Sequence, residues 1–385
     1  MKQESAIAGM GATPYYFRGT SAPQTLYELI GKAVLAAVAD AGLTIKDVDG
    51  LAFYAHGFEP GLITEMLGIP EIGFATTVSA QGGGSAGVLD IAAMAIETGR
   101  AKTVVCIGAC QQSQNRYGLT FSNLALTPDG VWHRAAGLTG GPGQTFALAA
   151  RRHMHVFGTR REAFAEVVMS SRAYAATRET ALRRKPLTLD EYMAAPMLAD
   201  PLCKLDFCLE TDGALAFVVT SAERARDLRQ RPVYIAASAH AGSADWGRAF
   251  FWLNMPEDVF TSGGGEPVAR RLYAQAGITP KEIDVALIYD HFSPLVILQL
   301  EDYGFCARGE GGGFVESGAL RRGGAIPVNP HGGHLSEAYV IGMTHIREAV
   351  EQLRGNAVNQ IPNAQFALVT GGPAPIPMSG AILRN

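Results

Sequence analysis

Apolar and polar positions along this chain fall into an order that occurs twice. Residues 34–51, "VLAAVADAGLTIKDVDGL", carry apolar residues at helical spacing up to Ala41 and Gly42. Thr44, a charged pair, Val48 and an apolar run follow. Residues 268–287, "VARRLYAQAGITPKEIDVAL", repeat that order, with Gly277 placed 235 positions after Gly42. Each glycine is expected to stop a helix by taking left-handed backbone. The stretches "DGLAFYAH" and "DVALIYDHF" are expected to be central strands.

The repetition continues along both halves. Residues 82–109, "GGGSAGVLDIAAMAIETGRAKTVVCIGA", read as a Gly-rich turn, a helix of small residues and a strand. Residues 332–372, "GGHLSEAYVIGMTHIREAVEQLRG" through "AQFALVTGG", follow the same plan. The starts "SAIAGMGAT" and "VYIAASAHA" also correspond. An α/β fold of two β-α-β-α-β copies is predicted, with halves at 1–230 and 231–385. Residues 111–230 have no expected counterpart in the second half. They open with a helical pattern, pass through the loop-like "RRKPLTLDEYMAAPMLADPL", and close with the strand and helix of "ETDGALAFVVTSAERARDL". An insertion at about 111–205 is expected to form a lid over a pocket; a purely structural insertion is the other reading.

Composition narrows the classes of function. The chain has 385 residues, 48% hydrophobic and 18% charged, which suits a globular protein. Its net charge of −4 leaves no basic surplus for nucleic acid. The N-terminus "MKQESAIAGMGATPYY" does not read as a signal peptide, and no run approaches the roughly 18 apolar residues of a membrane span. Five scattered cysteines (Cys106, Cys110, Cys203, Cys208, Cys306) lack zinc-ribbon spacing. A reducing, cytoplasmic setting is expected.

The duplicated halves, with "NPHGGHLSEAYVIGM" in the second, resemble the thiolase superfamily over essentially the whole chain. The resemblance implies a thiolase fold, a five-layered α-β-α-β-α sandwich, and a homodimer. The family's late motif, Asn-x-x-Gly-Gly then Gly-His-Pro-x-Gly, stands here as Asn329, Gly332 and Gly333, then Ala338 to Gly342. Tyr339 therefore takes the place of the catalytic histidine. The turn that carries the family's nucleophilic cysteine is "SAQGGGSAG", with the lost residue near Gly82. Val369 replaces the second catalytic cysteine, and "YDHF" puts Tyr289 where the family has the asparagine of its Asn-Glu-Ala-Phe motif. Without a thiolate there is no acyl-enzyme in the thiolase manner.

Tyrosines at these two positions are similar to a narrower branch, as are the segments 289–320 and "PLCKLDFCLETDGALAFVVTSAERARDLRQ". That branch is the lipid-transfer-protein-type aldolases of bacterial steroid side-chain degradation. It implies retro-aldol cleavage of a β-hydroxyacyl-CoA, for steroids giving a ketone and propionyl-CoA. It also implies Tyr289 and Tyr339 as catalytic residues. No cofactor is implied beyond the coenzyme A that the substrate carries. A small zinc-ribbon and OB-fold companion is implied, forming a heterotetramer.

The residues suit that chemistry. A retro-aldol step needs a base for the β-hydroxyl, a polarised thioester carbonyl and an acid for the α-carbon. Tyr289 is assigned as base and Tyr339 as acid, which requires a tyrosine pKa drawn down from about 10. Backbone N–H groups at Gly82, Gly83, Gly84, Gly371 and Gly372 are candidates to hold the enolate, with help from the following helix N-terminus. Asp290 and His291 are candidate supports for Tyr289, and a plain strand-end hydrogen bond is an equal alternative. His331 and His334 are expected to line a polar pocket or bond backbone, and no metal is expected there. A Schiff-base route lacks a lysine in any Gly-rich motif. Arg151, Arg152, Arg183, Arg184 and Lys185 are available for the phosphates of coenzyme A. Two other functions stay open: an acyl-CoA acyltransferase with another nucleophile, and a non-catalytic lipid-binding protein.

Overall fold

The structure is a computed structural model. It describes residues 4–54, 59–78, 83–113, 131, 135–137, 141–242, 261–262, 264–372 and 377–385. Among the described residues, the main strands of the first half are β1 (Ser5–Ala12), β2 (Gly50–Tyr54), β3 (Phe74–Thr77), β4 (Thr103–Gln111) and β5 (Thr211–Ser221), with the short strand Tyr16–Phe17 pairing on β5. Four build the second: β6 (Val233–Ala241), β7 (Val285–Leu287), β8 (Phe366–Thr370) and β9 (Met378–Arg384). The order across the mixed sheet is β7-β8-β9-β6-β1-β5-β4-β2-β3.

The two halves repeat one topology. In the first, the order is β3-β2-β4-β5-β1; in the second, β7-β8-β9-β6, with Val328 bridging Ala286 in parallel where β3 pairs with β2. In both, one parallel pair follows the helix and the last strand runs antiparallel. The halves meet along β1 and β6, at Ala6↔Tyr234 and Ile7↔Val233. One expectation is corrected here. Residues 211–221 do have a counterpart, because β5 occupies in the first half the place that β9 occupies in the second. The long insertion separates β5 from its own half in sequence but not in space.

Helix α1 (Leu26–Ala41) ends at Gly42 with φ +76°, and the helix Glu266–Ala276 ends at Gly277 with φ +69°, as the repeated Ala-Gly pattern predicted. Each covers the outer face of its sheet. Between the two halves of the sheet lie α2 (Gly87–Glu97) and the helix Met343–Arg354, both touching strands of both halves. Helix, sheet, helix, sheet, helix is the expected five-layer order. Three apolar clusters fill the gaps. The middle cluster includes Leu89, Ile96, Tyr289, Tyr339, Ile346 and Val350, all buried. Each such aliphatic side chain contributes roughly 1.5–3 kcal/mol on burial, so the central seam is held firmly.

The insertion contributes α3 (Pro142–Phe157) and α4 (Arg161–Ala175), followed by a short capped helix, Leu189–Met193, where sequence suggested only loop. Helix α4 packs on α5 (Ser293–Asp302) and on the turn of helix Gly333–Ser336, both in the second half. A segment that interrupts the first half therefore buttresses the second. Among the described residues, no helix is long and apolar enough to cross a membrane.

Candidate active site

Tyr289 sits two residues past the end of β7. The β7 edge loses its ladder here, and side chains take over. Asn329 Oδ1 accepts from Ile288 N–H at 2.8 Å, and Asn329 Nδ2 donates to Ile288 O at 2.8 Å. Thr370 Oγ1 accepts from Tyr289 N–H at 3.0 Å, and Gln299 Nε2 donates to Tyr289 O at 2.9 Å. Asn329 holds φ +49°, a left-handed position that asparagine tolerates better than most residues. The motif asparagine thus works as a backbone clamp that fixes the strand end below Tyr289.

Tyr339 lies between the helix Gly333–Ser336 and α6 (Met343–Arg354). Its carbonyl accepts from Thr211 Oγ1 at 2.5 Å and from Cys110 Sγ at 3.2 Å, both from the first half. The two tyrosines meet hydroxyl to hydroxyl at 3.0 Å, with ring planes at 90°. Tyr289 is fully buried and Tyr339 is 4% exposed. The predicted pair therefore comes together in the interior.

The predicted supports sit close around it. Asp290 Oδ1 accepts from His334 N–H at 2.8 Å, so Asp290 caps the short helix through backbone instead of reaching Tyr289. The His334 ring packs edge-on to Tyr289, centroids 4.5 Å apart, and its Nδ1 lies 3.4 Å from Asp290 Oδ1 without an aligned hydrogen bond. His331 is buried with neither ring nitrogen hydrogen-bonded, 3.9 Å from Glu337 Oε2. Neither histidine bonds backbone through its ring, which leaves the lining of a polar pocket as the other expected role. Burial, then the neighbouring His345, hold His331 and His334 well below the usual imidazole range. His291 is half-buried as a residue, yet its Nδ1 is shut off from solvent, and desolvation lowers it to about 3. All three are neutral at pH 7.

His345 was missed in the sequence. Its Nε2 lies 2.9 Å from Ile288 O and 3.2 Å from Asp290 Oδ1. Two acceptors face that nitrogen, which places its proton there. The ring stacks near Tyr289 at 6.2 Å and 24°. It holds the segment 288–290 from below, as Asn329 does from the side. Asp290, His334 and His345 have donor atoms close enough to hold a metal ion. The Nε2 proton of His345 already satisfies two oxygens, so a hydrogen-bonded cluster accounts for them.

The Gly-rich turns also converge. Ser379 Oγ donates to Gly83 O, and Ser379 O accepts from Gly371 N–H at 2.7 Å. The Gly371 amide is therefore committed to β9 and is not free for an enolate, against the expectation. Gly83, Gly84 and Gly372 are buried beside it, and Gly82 lies outside the described residues. Ser85, at the first turn, is fully buried and its Oγ makes no hydrogen bond. No thiol here is poised as a nucleophile. Desolvation pushes Cys106, Cys110 and Cys208 far up, Cys306 to about 12, and Cys203 up as well.

The five candidate phosphate-binding cations are on the insertion. Arg151 pairs with exposed Asp200, and Lys185 pairs with Glu191 at 3.0 Å. Arg183 lies over the Phe17 ring at 5.1 Å. Arg152 is half-buried and Arg184 is exposed.

Residues 253–381 match the family described as "Thiolase C-terminal domain-like". The chain is 39% identical over 99% of its length to the "17-hydroxy-3-oxo-4-pregnene-20-carboxyl-CoA lyase" of Mycobacterium tuberculosis, covering 99% of that protein. It is 40% identical over 98% of its length to the "Steroid side-chain-cleaving aldolase" of Thermomonospora curvata, covering 97% of it. The solved "Ltp2-ChsH2(DUF35) aldolase" superposes with a TM-score of 0.91 at 39% identity, over 99% of this chain and 98% of that one. The chain belongs to the thiolase superfamily, in its branch of steroid side-chain-cleaving aldolases.

Proposed function

We propose that this protein cleaves a β-hydroxyacyl-CoA, of steroid or bile-acid side-chain type, by a retro-aldol reaction. The single observation that carries the reading is the buried Tyr289–Tyr339 hydroxyl contact of 3.0 Å at the two positions where thiolases keep other catalytic groups. Tyr289 takes the proton of the β-hydroxyl. The Cα–Cβ bond breaks, its electrons passing into the thioester as an enolate, and a ketone leaves. Tyr339 then gives a proton to the α-carbon, releasing propionyl-CoA or acetyl-CoA. Tyr289 ends the cycle protonated and Tyr339 deprotonated. A direct hydrogen bond lets the proton cross and resets both without bulk water.

Enolate charge falls to the amides of Gly82, Gly83, Gly84 and Gly372, with Asp290, His291, His331 and His334 shaping the surroundings. Neutral imidazoles fit that task, since they can hydrogen-bond without attracting a second anion. Coenzyme A phosphates fall to the cations of the insertion, Arg151, Arg152, Arg183, Arg184 and Lys185. No resident cofactor enters this scheme. A homodimer working in the cytoplasm is part of the reading. So is a small zinc-ribbon and OB-fold companion, supported by the DUF35 protein named with the similar aldolase.

The raised thiols disfavour an acyltransferase, and two tyrosines at catalytic positions disfavour a purely lipid-binding role. Tyr289→Phe and Tyr339→Phe, each coexpressed with the companion, are expected to lower cleavage by about 10²–10⁴-fold with the fold retained. Products are read by mass as ketone and short acyl-CoA. Full activity in both variants would sink the proposal.

A further inference from the structure

A buried charge network stands directly behind Tyr339, and the mechanism does not use it. Arg178 follows α4 in the insertion and is 2% exposed. Its Nε donates to Glu337 Oε1, its Nη1 to Glu348 Oε2 at 2.8 Å, and its Nη2 to Glu351 Oε2 at 2.9 Å. Arg347 completes the group, donating to Glu351 at 2.7 Å and to Tyr15 OH at 3.0 Å. Glu337 and Glu348 are fully buried. Glu337 is two residues from Tyr339.

The same piece of chain is gripped at several further points. Thr180 Oγ1 donates to Glu337 Oε1 at 2.7 Å. Leu182 N–H donates to Glu337 O at 3.0 Å, and Arg183 N–H donates to Ser336 O at 2.9 Å. From α4, Ser171 Oγ and Arg172 Nε reach Ser336 Oγ at 2.9 and 3.1 Å. Every one of these donors comes from residues 171–183, and every acceptor from 336–337.

Such an arrangement is poor value as stability alone. Taking an arginine and three carboxylates out of water costs about what their attraction returns. What it does supply is a fixed position, since a planar guanidinium with three partners has little freedom left. The catalytic contact depends on that position, because Tyr339 must keep its hydroxyl 3.0 Å from Tyr289.

We propose that Arg178 is a positioning residue for Tyr339, acting through Glu337, so that the inserted segment sets the tyrosine hydroxyl in place. The kinetic side of this rests on the retro-aldolase reading. The placement side does not, and the experiment separates them. Four variants are compared: Arg178→Lys, Glu337→Gln, Thr180→Val and Glu351→Gln. Each is assayed for kcat and KM on the cleaved β-hydroxyacyl-CoA. Each is also prepared with 13Cζ-labelled tyrosine, and the Tyr339 resonance is assigned by its loss in Tyr339→Phe.

Arg178→Lys and Glu337→Gln are expected to lower kcat about tenfold or more with KM within about twofold, and to move the Tyr339 resonance. Thr180→Val, a milder change that keeps every charge, is expected to move the resonance the same way. Glu351→Gln removes one of the arginine's three carboxylates but none from the Tyr339 segment, and is expected to change both readouts less than Glu337→Gln does. A Tyr339 resonance unmoved in folded Glu337→Gln and Thr180→Val overturns the proposal. So does a Glu351→Gln that matches Glu337→Gln in both readouts. Should Arg178→Lys not fold, Thr180→Val decides. If the parent enzyme cleaves no substrate while the resonance moves as expected, the retro-aldolase reading fails and the positioning role stands.

Discussion

Gly342 gives the sharpest test of how tightly the tyrosine pair is held. It caps the N-terminus of α6 at φ +87°, three residues beyond Tyr339. A Cβ there would lie 2.5 Å from Ser85 Cβ, 2.6 Å from Ser85 Oγ and 2.8 Å from Tyr289 Cε2. Carbon atoms settle near 3.5 Å, so Gly342→Ala forces Ser85 or the Tyr289 ring to move by roughly 0.7–1 Å. Left-handed backbone costs alanine about 1–2 kcal/mol, and overpacking about 1–3 more. The expected loss of stability is therefore about 2–5 kcal/mol, read by urea denaturation. A shift of that size at Tyr289 also breaks the hydroxyl contact, and a misplacement near 1 Å costs on the order of 10²-fold in rate. Gly355→Ala supplies the control. It caps the other end of α6 at φ +80°, but nothing lies within 4 Å of its added Cβ. Strain alone should cost it about 1–2 kcal/mol with kcat unchanged. Parental kcat in Gly342→Ala, or an equal loss of kcat in Gly355→Ala, would refute the reasoning.

Two further outcomes follow from the protonation states. His331 and His334 are neutral when folded and have pKa values held well below 6.5, so the unfolded chain binds their protons first as pH falls. Stability is intact above pH 6.5 and is lost below it. Between pH 6.5 and 5.5 the two together cost about 2 kcal/mol, and a flat stability profile over that range would contradict their burial as neutral rings. Separately, intact mass after incubation with acyl-CoA should show no acyl adduct, because burial keeps Cys110 and Cys106 protonated; an adduct on Cys110 would restore the acyltransferase reading.

Much of the fold was legible because it is written twice. The Ala-Gly stops at Gly42 and Gly277, the small-residue helix at 87–97 and its partner at 343–354 each appear in both halves. What escaped was what the insertion displaced. Strand β5 looked like the tail of an unmatched region, since roughly a hundred residues separate it from β4 and its counterpart β9 is the last strand of the chain. Tyr289 and Tyr339 were legible because each stands at a position that a motif defines. His345 was not, as nothing in "MTHIREAV" shows that one face of the helix meets the carbonyl of Ile288. Arg178 and Glu337 lie 159 residues apart, and no pattern of charges links them. The orientation of the Gly371 amide is likewise a property of the β8–β9 pairing and not of its sequence.

Both tyrosines belong to the second half, yet that half alone does not fix them. The carbonyl of Tyr339 is held by Thr211 and Cys110, and the glycine beside it is pressed against Ser85, all from the first half. Tyr289 depends instead on Asn329, Thr370 and Gln299 from its own half. One hydroxyl is thus anchored within its unit and the other across the seam between units. A change that opens the seam, by loosening β1 from β6, is therefore expected to move Tyr339 relative to Tyr289. The distance between the hydroxyls then reports the closure of the two halves, which explains why the pair is sealed under a central core instead of standing on a surface loop.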